Sequence, residues 1–222
     1  MGSSRASAKA RPSPSAKKAS KTSAKSGDKR DRILDAAVKV FAKTGFHGTK
    51  VSAIAKAAGV ADGTIYLYFR SKEELLVSLF EDRVERLLRY MKDELAKIDS
   101  VPEKFRRIIE LQLGLLQDER DLAEVVTIIL RESTKLINEF AAPKFMMYLD
   151  AIARVVAEGQ ARGDFRPDVA PHLVARATFG ALDGIALTWT VGRGEPEALT
   201  RAAAQLADLL LRGLSPTPNE AR

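Results

Sequence analysis

The chain of 222 residues contains no cysteine, which excludes disulfides, thiolate zinc sites and thiol catalysis. Imidazole is scarce as well, with His47 and His172 as its two carriers. A histidine metal cage or a Ser/His triad would need both in very particular roles. These two shortages together disfavour most enzyme classes. Long hydrophobic runs are also missing: the longest weakly charged apolar stretch, Ala177 to Val191, falls short of the roughly 20 residues that span a bilayer and is broken by Asp183. Gly192 and Gly194 form a G-x-G, but no strand precedes them and no third glycine follows, so a nucleotide fingerprint is rejected. What is present, 45% hydrophobic residues, is enough to bury a core.

The formal charge of +7 is unevenly distributed. Nine of the 36 basic residues and one of the 29 acidic ones lie in residues 1–30, leaving 27 basic against 28 acidic residues in the remainder. Residues 1–27 are mainly Ser, Ala, Lys and Pro, with no aromatic side chain and no large aliphatic one after Met1, so they are expected to be disordered. Such an arm can gain non-specific affinity for phosphates by releasing counterions, or it can simply solubilise the chain.

From Asp28 onward the apolar period is helical. Ile33, Leu34, Ala37, Val38 and Phe41 predict a helix from Asp28 to Thr44, closed by Gly45. A short helix follows to Ala58, with Thr49 as N-cap and Gly59 as stop, and a third runs from Asp62 to Tyr68. Ser71 and Glu74 have the spacing of a capping box that opens a long amphipathic helix to about Ile98. Helices are then expected over Glu103–Leu116, Asp121–Ser133, Leu136–Arg162 with an interruption near Pro143, Asp168–Val191 and Glu195–Leu214. No segment alternates in the manner of a strand, so the fold class is all-α, with about nine helices. The expected divisions are a basic tail (1–27), a DNA-binding domain (28–72), a ligand-binding and dimerisation domain (73–214) and a flexible end (215–222).

Spacing within Val51 to Phe69 carries the chemistry. Ala55 is small where two helices must touch, Gly59 permits a positive φ in the turn, and Val60 and Ile65 are inward anchors. This is helix-turn-helix spacing, and such a unit lays its second helix in the DNA major groove. The segment GFHGTKVSAIAKAAGVADGTIYLYFRSKEELL resembles the DNA-binding segment of the TetR family of bacterial repressors. The resemblance implies an N-terminal three-helix DNA-binding domain, a helical ligand-binding domain, and a homodimer formed by helices eight and nine. By position it implies that Thr64 and Tyr66 meet bases or phosphates, that Tyr68 and Lys72 meet phosphates, and that Thr49 and Lys50 stand at the start of the second helix. Tyr66 could instead pack the three-helix core, and Lys72 could be a solvated lysine. Asp62, where many members carry a basic or small residue, is expected to cap the third helix or to accept from a cytosine amino group.

GVADGTIYLYF, SLFE, LRES and FGALDGIALTW resemble the fatty-acid-degradation regulators of that family, which implies long-chain acyl-coenzyme A as effector. Apolar side chains of the middle helices, among them Phe105, Met146, Met147, Phe179 and Trp189, suit a flexible acyl chain or an ordinary core. Arg106, Arg107 and Arg131 are candidate phosphate ligands for the coenzyme A moiety. Gly180 and Gly184 allow close approach of two helices, and Leu206, Leu209 and Leu210 offer an apolar face for the dimer. The implied partners are operator duplex DNA, a small hydrophobic effector and a second copy of the chain, with no cofactor, metal or membrane. The implied location is the bacterial cytoplasm, on the nucleoid when bound. The alternatives are a repressor with another hydrophobic effector, an architectural DNA-binding dimer, and an acyl-CoA hydrolase, the last lacking any acid, base and nucleophile constellation.

Overall fold

A computed structural model describes residues 14–128, 142–192, 194, 195 and 197–216. Among them every regular element is a helix: α1 (Pro14–Gly48), α2 (Val51–Ala58), α3 (Asp62–Ile65), α4 (Lys72–Leu95), α5 (Val101–Asp118), α6 (Arg120–Thr127), α7 (Ala142–Arg162), α8 (Pro171–Val191) and α9 (Ala198–Leu214). The expected helices Asp121–Ser133 and Leu136–Arg162 both run into residues 129–141, which lie outside the described residues, and Pro143, where an interruption is expected, stands in the first turn of α7.

Helix α1 extends back to Pro14, where the sequence leads one to expect disorder up to residue 27. Proline suits a first helical turn, and the Ala- and Lys-rich residues that follow form helix well. The backbone leaves the helix at Gly45, with φ 68° and ψ 171°, as expected there. That break exposes a carbonyl. The Thr49 hydroxyl donates to Gly45 O at 2.6 Å and lies 2.6 Å from Thr44 Oγ1, so it is not the N-cap of α2. Lys50 occupies that position without a side-chain hydrogen bond. Gly59 ends α2 in the left-handed region, φ 66°. Helix α3 stops at Ile65 rather than Tyr68 and continues as hydrogen-bonded turns to Phe69.

Ser71 Oγ accepts from Glu74 N at 3.1 Å, while the Glu74 carboxylate accepts from Arg70 N at 2.7 Å. This capping box is therefore shifted by one residue on its return side. It launches α4, which contacts α1 on one side and α5 and α7 on the other. Helix α8 starts at Pro171, not Asp168. Asp168 is held by Arg166 through two hydrogen bonds, at 2.6 and 2.5 Å, and proline takes the N1 position that lacks an amide partner anyway.

Ile33, Leu34, Phe41, Ile54, Ile65 and Phe69 close the core of α1–α3 against Leu75 and Leu76 of α4. Burial continues without a gap into Phe105, Ile108, Ile152 and Leu182 of the larger helical body. Among the described residues no helix is long and apolar enough to cross a membrane.

Candidate functional site

The amino-terminal unit presents one outward face. Ile65 and Phe69 point inward, both 2% exposed, and by helical period the residues between them turn out. Tyr66 is 58% exposed and Leu67 81%, so Tyr66 does not pack the core. Lys50, Asp62 and Gly63 share the exposed surface and Thr64 is half-buried. Asp62 does not cap α3: Ala61 is at the N-cap and no side-chain bond forms. Tyr68 is half-buried beside Phe69, ring centroids 6.3 Å apart.

Lys72 and Thr49 face inward instead. The Lys72 ammonium donates to Phe46 O at 2.7 Å, to Thr49 O at 3.0 Å and to His47 O at 3.4 Å, and sits 4.6 Å from the Phe46 ring centroid. Through these contacts it ties α4 to the α1–α2 turn. Thr49 is 4% exposed, so its side chain cannot reach DNA.

A cavity of about 330 Å³ lies between α4, α5, α6, α7 and α8, within the size range of small-molecule sites. Its wall is mostly apolar: Phe80, Val84 and Leu87 from α4, Leu115 and Leu116 from α5, Val126 from α6, and Phe145 and Phe179 in a T-shaped pair at 4.7 Å. Arg83, Gln112, Thr127, Tyr148 and Asp183 are its polar members. The Tyr148 hydroxyl donates to Gln112 Oε1, and burial pushes its pKa far above the usual phenol value, so this hydroxyl stays neutral.

Of the residues expected to line a pocket, the cavity contains Phe179. Phe105 is 0% exposed and packs edge-on against Phe165 at 6.0 Å, away from the cavity. Met146 and Met147 are about half exposed, because Phe145 and Tyr148, three residues apart, take the inward side of α7. Trp189 donates to Glu195 O at 3.1 Å and carries Arg120 over its ring at 4.7 Å. Arg106 is paired with Asp208 at 2.7 Å and Arg107 with Glu94 at 3.0 Å, which commits both guanidiniums to carboxylates. Arg131 lies outside the described residues.

On α8 and α9, Leu206 is 7% exposed and belongs to the core, and Leu210 packs partly against it. Leu206 is thus taken into the protomer's own core rather than left for a dimer face, on the helix that packs against α5, whereas Leu210 keeps part of its side chain at the surface of α9. Gly180 and Gly184 are exposed with open space where a Cβ would stand. Leu209 of α9 is 67% exposed, and Leu173 and Val191 of α8 are exposed at 54% and 68%.

Residues 33–79 match the family of bacterial regulatory proteins, tetR family, and residues 80–213 match the C-terminal region of YsiA-like proteins. The chain is 32% identical over 183 residues to the fatty acid metabolism regulator protein of Bacillus subtilis, covering 82% of this chain and 94% of that one. The chain belongs to the TetR family. Among solved structures, this TetR-family protein is similar to the fatty acid degradation regulator FadR from Bacillus halodurans (35% identity, TM-score 0.79, covering 84% of this chain and 96% of that one). It is likewise similar to FadR from Bacillus subtilis in complex with stearoyl-CoA (32% identity, TM-score 0.77, 82% and 98% covered). As a TetR-family member it is a DNA-binding transcriptional regulator and not an enzyme. The sequence reading passed over Leu67, although its place between Tyr66 and Tyr68 and off the Ile65–Phe69 inward line marks it as outward. It also passed over the α4 and α6 cavity residues, whose apolar spacing is indistinguishable from that of core.

Proposed function

We propose that this regulator represses genes of fatty-acid metabolism and leaves its operator when a long-chain acyl-CoA fills the cavity between α4 and α8. The observation that carries this reading is the apolar cavity itself, in a chain 32% identical to a protein whose structure contains stearoyl-CoA. A flexible hydrocarbon gains about 0.8 kcal/mol for each methylene it buries there. An architectural DNA-binding dimer would have no use for such a cavity. Residues 28–72 form the DNA-binding domain and 73–214 the effector and dimerisation domain, with residues 1–27 adding sequence-independent affinity for phosphates. The operator-bound molecule resides on the nucleoid.

In this reading Tyr66, Leu67 and Thr64 read the major groove, with Lys50 beside them and Asp62 accepting from a base. Tyr68 supports that face, while Lys72 and Thr49 hold the backbone that presents it. Exchange of Tyr66 for alanine is expected to weaken operator binding by about 1–3 kcal/mol, with little change on random DNA. Fluorescence anisotropy with both duplexes checks it, and equal losses on both would assign Tyr66 to phosphate contact.

The dimer forms through the exposed surface of α8 and α9 that carries Gly180, Gly184 and Leu209. Leu209→Glu is expected to yield monomers in sedimentation at micromolar concentration and to lose operator binding, because half-sites one helical turn apart need two linked reading heads. Leu206 is unsuitable for this test, since a charge there would disrupt the protomer's own core.

The proposal as a whole is tested by titrating operator complexes with stearoyl-CoA, free stearate and coenzyme A. Release by stearoyl-CoA at concentrations where the other two do nothing is the expected result. Equal release by stearate, or none by any acyl-CoA, would require a different effector.

A further inference from the structure

Two residues belong to both the effector cavity and the crevice beneath α1. Arg83 of α4 and Leu122 of α6 line the cavity, and the same two line a second, shallower crevice bounded by Asp35, Val38 and Lys39 of α1. Helix α6 packs directly on α1, and Val38 of α1 and Leu122 of α6, both buried, line the same crevice. Arg83 and Leu122 thus form a wall shared by the cavity and the crevice beside α1.

Arg83 is the charged half of that wall. Its Nη2 donates to Asp35 Oδ1 of α1 at 2.5 Å, and Nη1 lies 3.5 Å from Asp82. Its side chain is 12% exposed, whereas Asp35 is 55% exposed. The Arg83 Nε–H is fully buried and has no hydrogen-bond partner. A buried donor left unpaired is costly and needs an explanation. Here it belongs to a residue facing a cavity that is otherwise mainly hydrocarbon.

We infer that the Arg83–Asp35 ion pair is the coupling element of this regulator: it holds α1 in the arrangement that binds operator, and an acceptor oxygen on the effector competes for the Arg83 guanidinium and releases it. The identity of that oxygen as an acyl-CoA carbonyl rests on the function proposed above, whereas the bias exerted by the pair does not. An arginine fork can serve a carboxylate on one side and a carbonyl on another, but turning toward the cavity lengthens its reach to Asp35. Differential contact with the two arrangements is what a ligand needs to shift their populations. By linkage the same pair that strengthens operator binding must weaken effector binding.

Asp35→Asn tests this with a change of sign. Asp35 is largely exposed and outside the cavity, so the variant retains the core and the cavity wall. Removing a negative charge from a DNA-binding domain ordinarily tightens DNA binding. If the pair holds the operator-competent arrangement, the variant binds operator about two- to five-fold more weakly in the absence of any effector, the range expected for a partly exposed pair. In calorimetry without DNA it then binds stearoyl-CoA tighter by a similar factor. Operator affinity that is unchanged or increased would overturn the inference, and so would weaker operator binding with unaltered stearoyl-CoA affinity. If wild-type protein takes up no stearoyl-CoA while Asp35→Asn still weakens operator binding, the ion pair keeps its role and the acyl-CoA reading falls instead. Arg83→Met, which keeps the stem and loses every N–H, weakens operator binding to the same extent as Asp35→Asn, but binds stearoyl-CoA more weakly than the Asp35→Asn protein does. Equal stearoyl-CoA affinity in the two variants would remove the guanidinium from effector contact.

Discussion

Phe105→Ala is expected to lower the stability of the fold by about 3–5 kcal/mol, the ordinary cost of deleting a fully buried aromatic ring. Phe105 is 0% exposed on α5 and meets Phe165 edge to face at 6.0 Å. Phe165 in turn lies over Gly159, so closely that a Cβ there would come within 2.3 Å of the ring. Ring, ring and glycine fasten the α7–α8 turn to α5. Urea unfolding should show a lower midpoint with little change in slope. Stearoyl-CoA affinity of the folded fraction should stay close to wild type, because Phe105 is not part of the cavity wall. A loss under 1 kcal/mol, or a selective loss of effector binding, would return Phe105 to the ligand site.

The second large effect is the opposite in kind. Ala186 is 1% exposed on α8 and lines the effector cavity. Ala186→Phe directs a ring toward the cavity, but with Ala186 itself only 1% exposed its neighbours must give way to admit it, at about the 1–3 kcal/mol of ordinary overpacking. The ring displaces several methylenes of a bound acyl chain. Two of them, at about 0.8 kcal/mol each, already correspond to about a tenfold loss of affinity. The concentration of stearoyl-CoA that releases half the operator complex should therefore rise about tenfold or more, while operator affinity without effector stays within about twofold. A thermal melt guards against a folding defect. Unaltered release would place the acyl chain outside this cavity.

The contrast between Phe105 and Ala186 shows where the sequence misleads. A large aromatic residue on an amphipathic helix attracts a ligand assignment, and an alanine attracts none. The cavity wall carries both kinds, Ala186 beside Phe80, Phe145 and Phe179, so side-chain size along the chain does not separate wall from core. The same holds for charge. Arg106 and Arg107 look available beside an apolar stretch, yet Asp208 and Glu94 reach them from positions distant in the chain. The arginine that does face the cavity, Arg83, lies in a charged run of α4 that reads as a solvated surface. Lys72 is a further instance, since three backbone carbonyls converge on it only after Gly45 has turned the chain back.

Local signals did determine a good deal. Helical period, with Gly45 and Gly59 at positive φ and Ser71 at an N-cap, marks the helix-turn-helix unit from sequence because each feature depends on neighbours within four residues. The all-α class follows from the same short-range rules, and the resemblance of the whole segment carries the family, while the outward Tyr66 is settled by the packed structure. Tertiary structure decided the rest: which apolar faces meet, which carboxylate finds which arginine, and where α4 to α8 fail to close. Those outcomes depend on residues such as Asp35 and Arg83, which are 48 positions apart. The pairing energy between such residues exists only after the helices have packed, so no pattern along the chain records it.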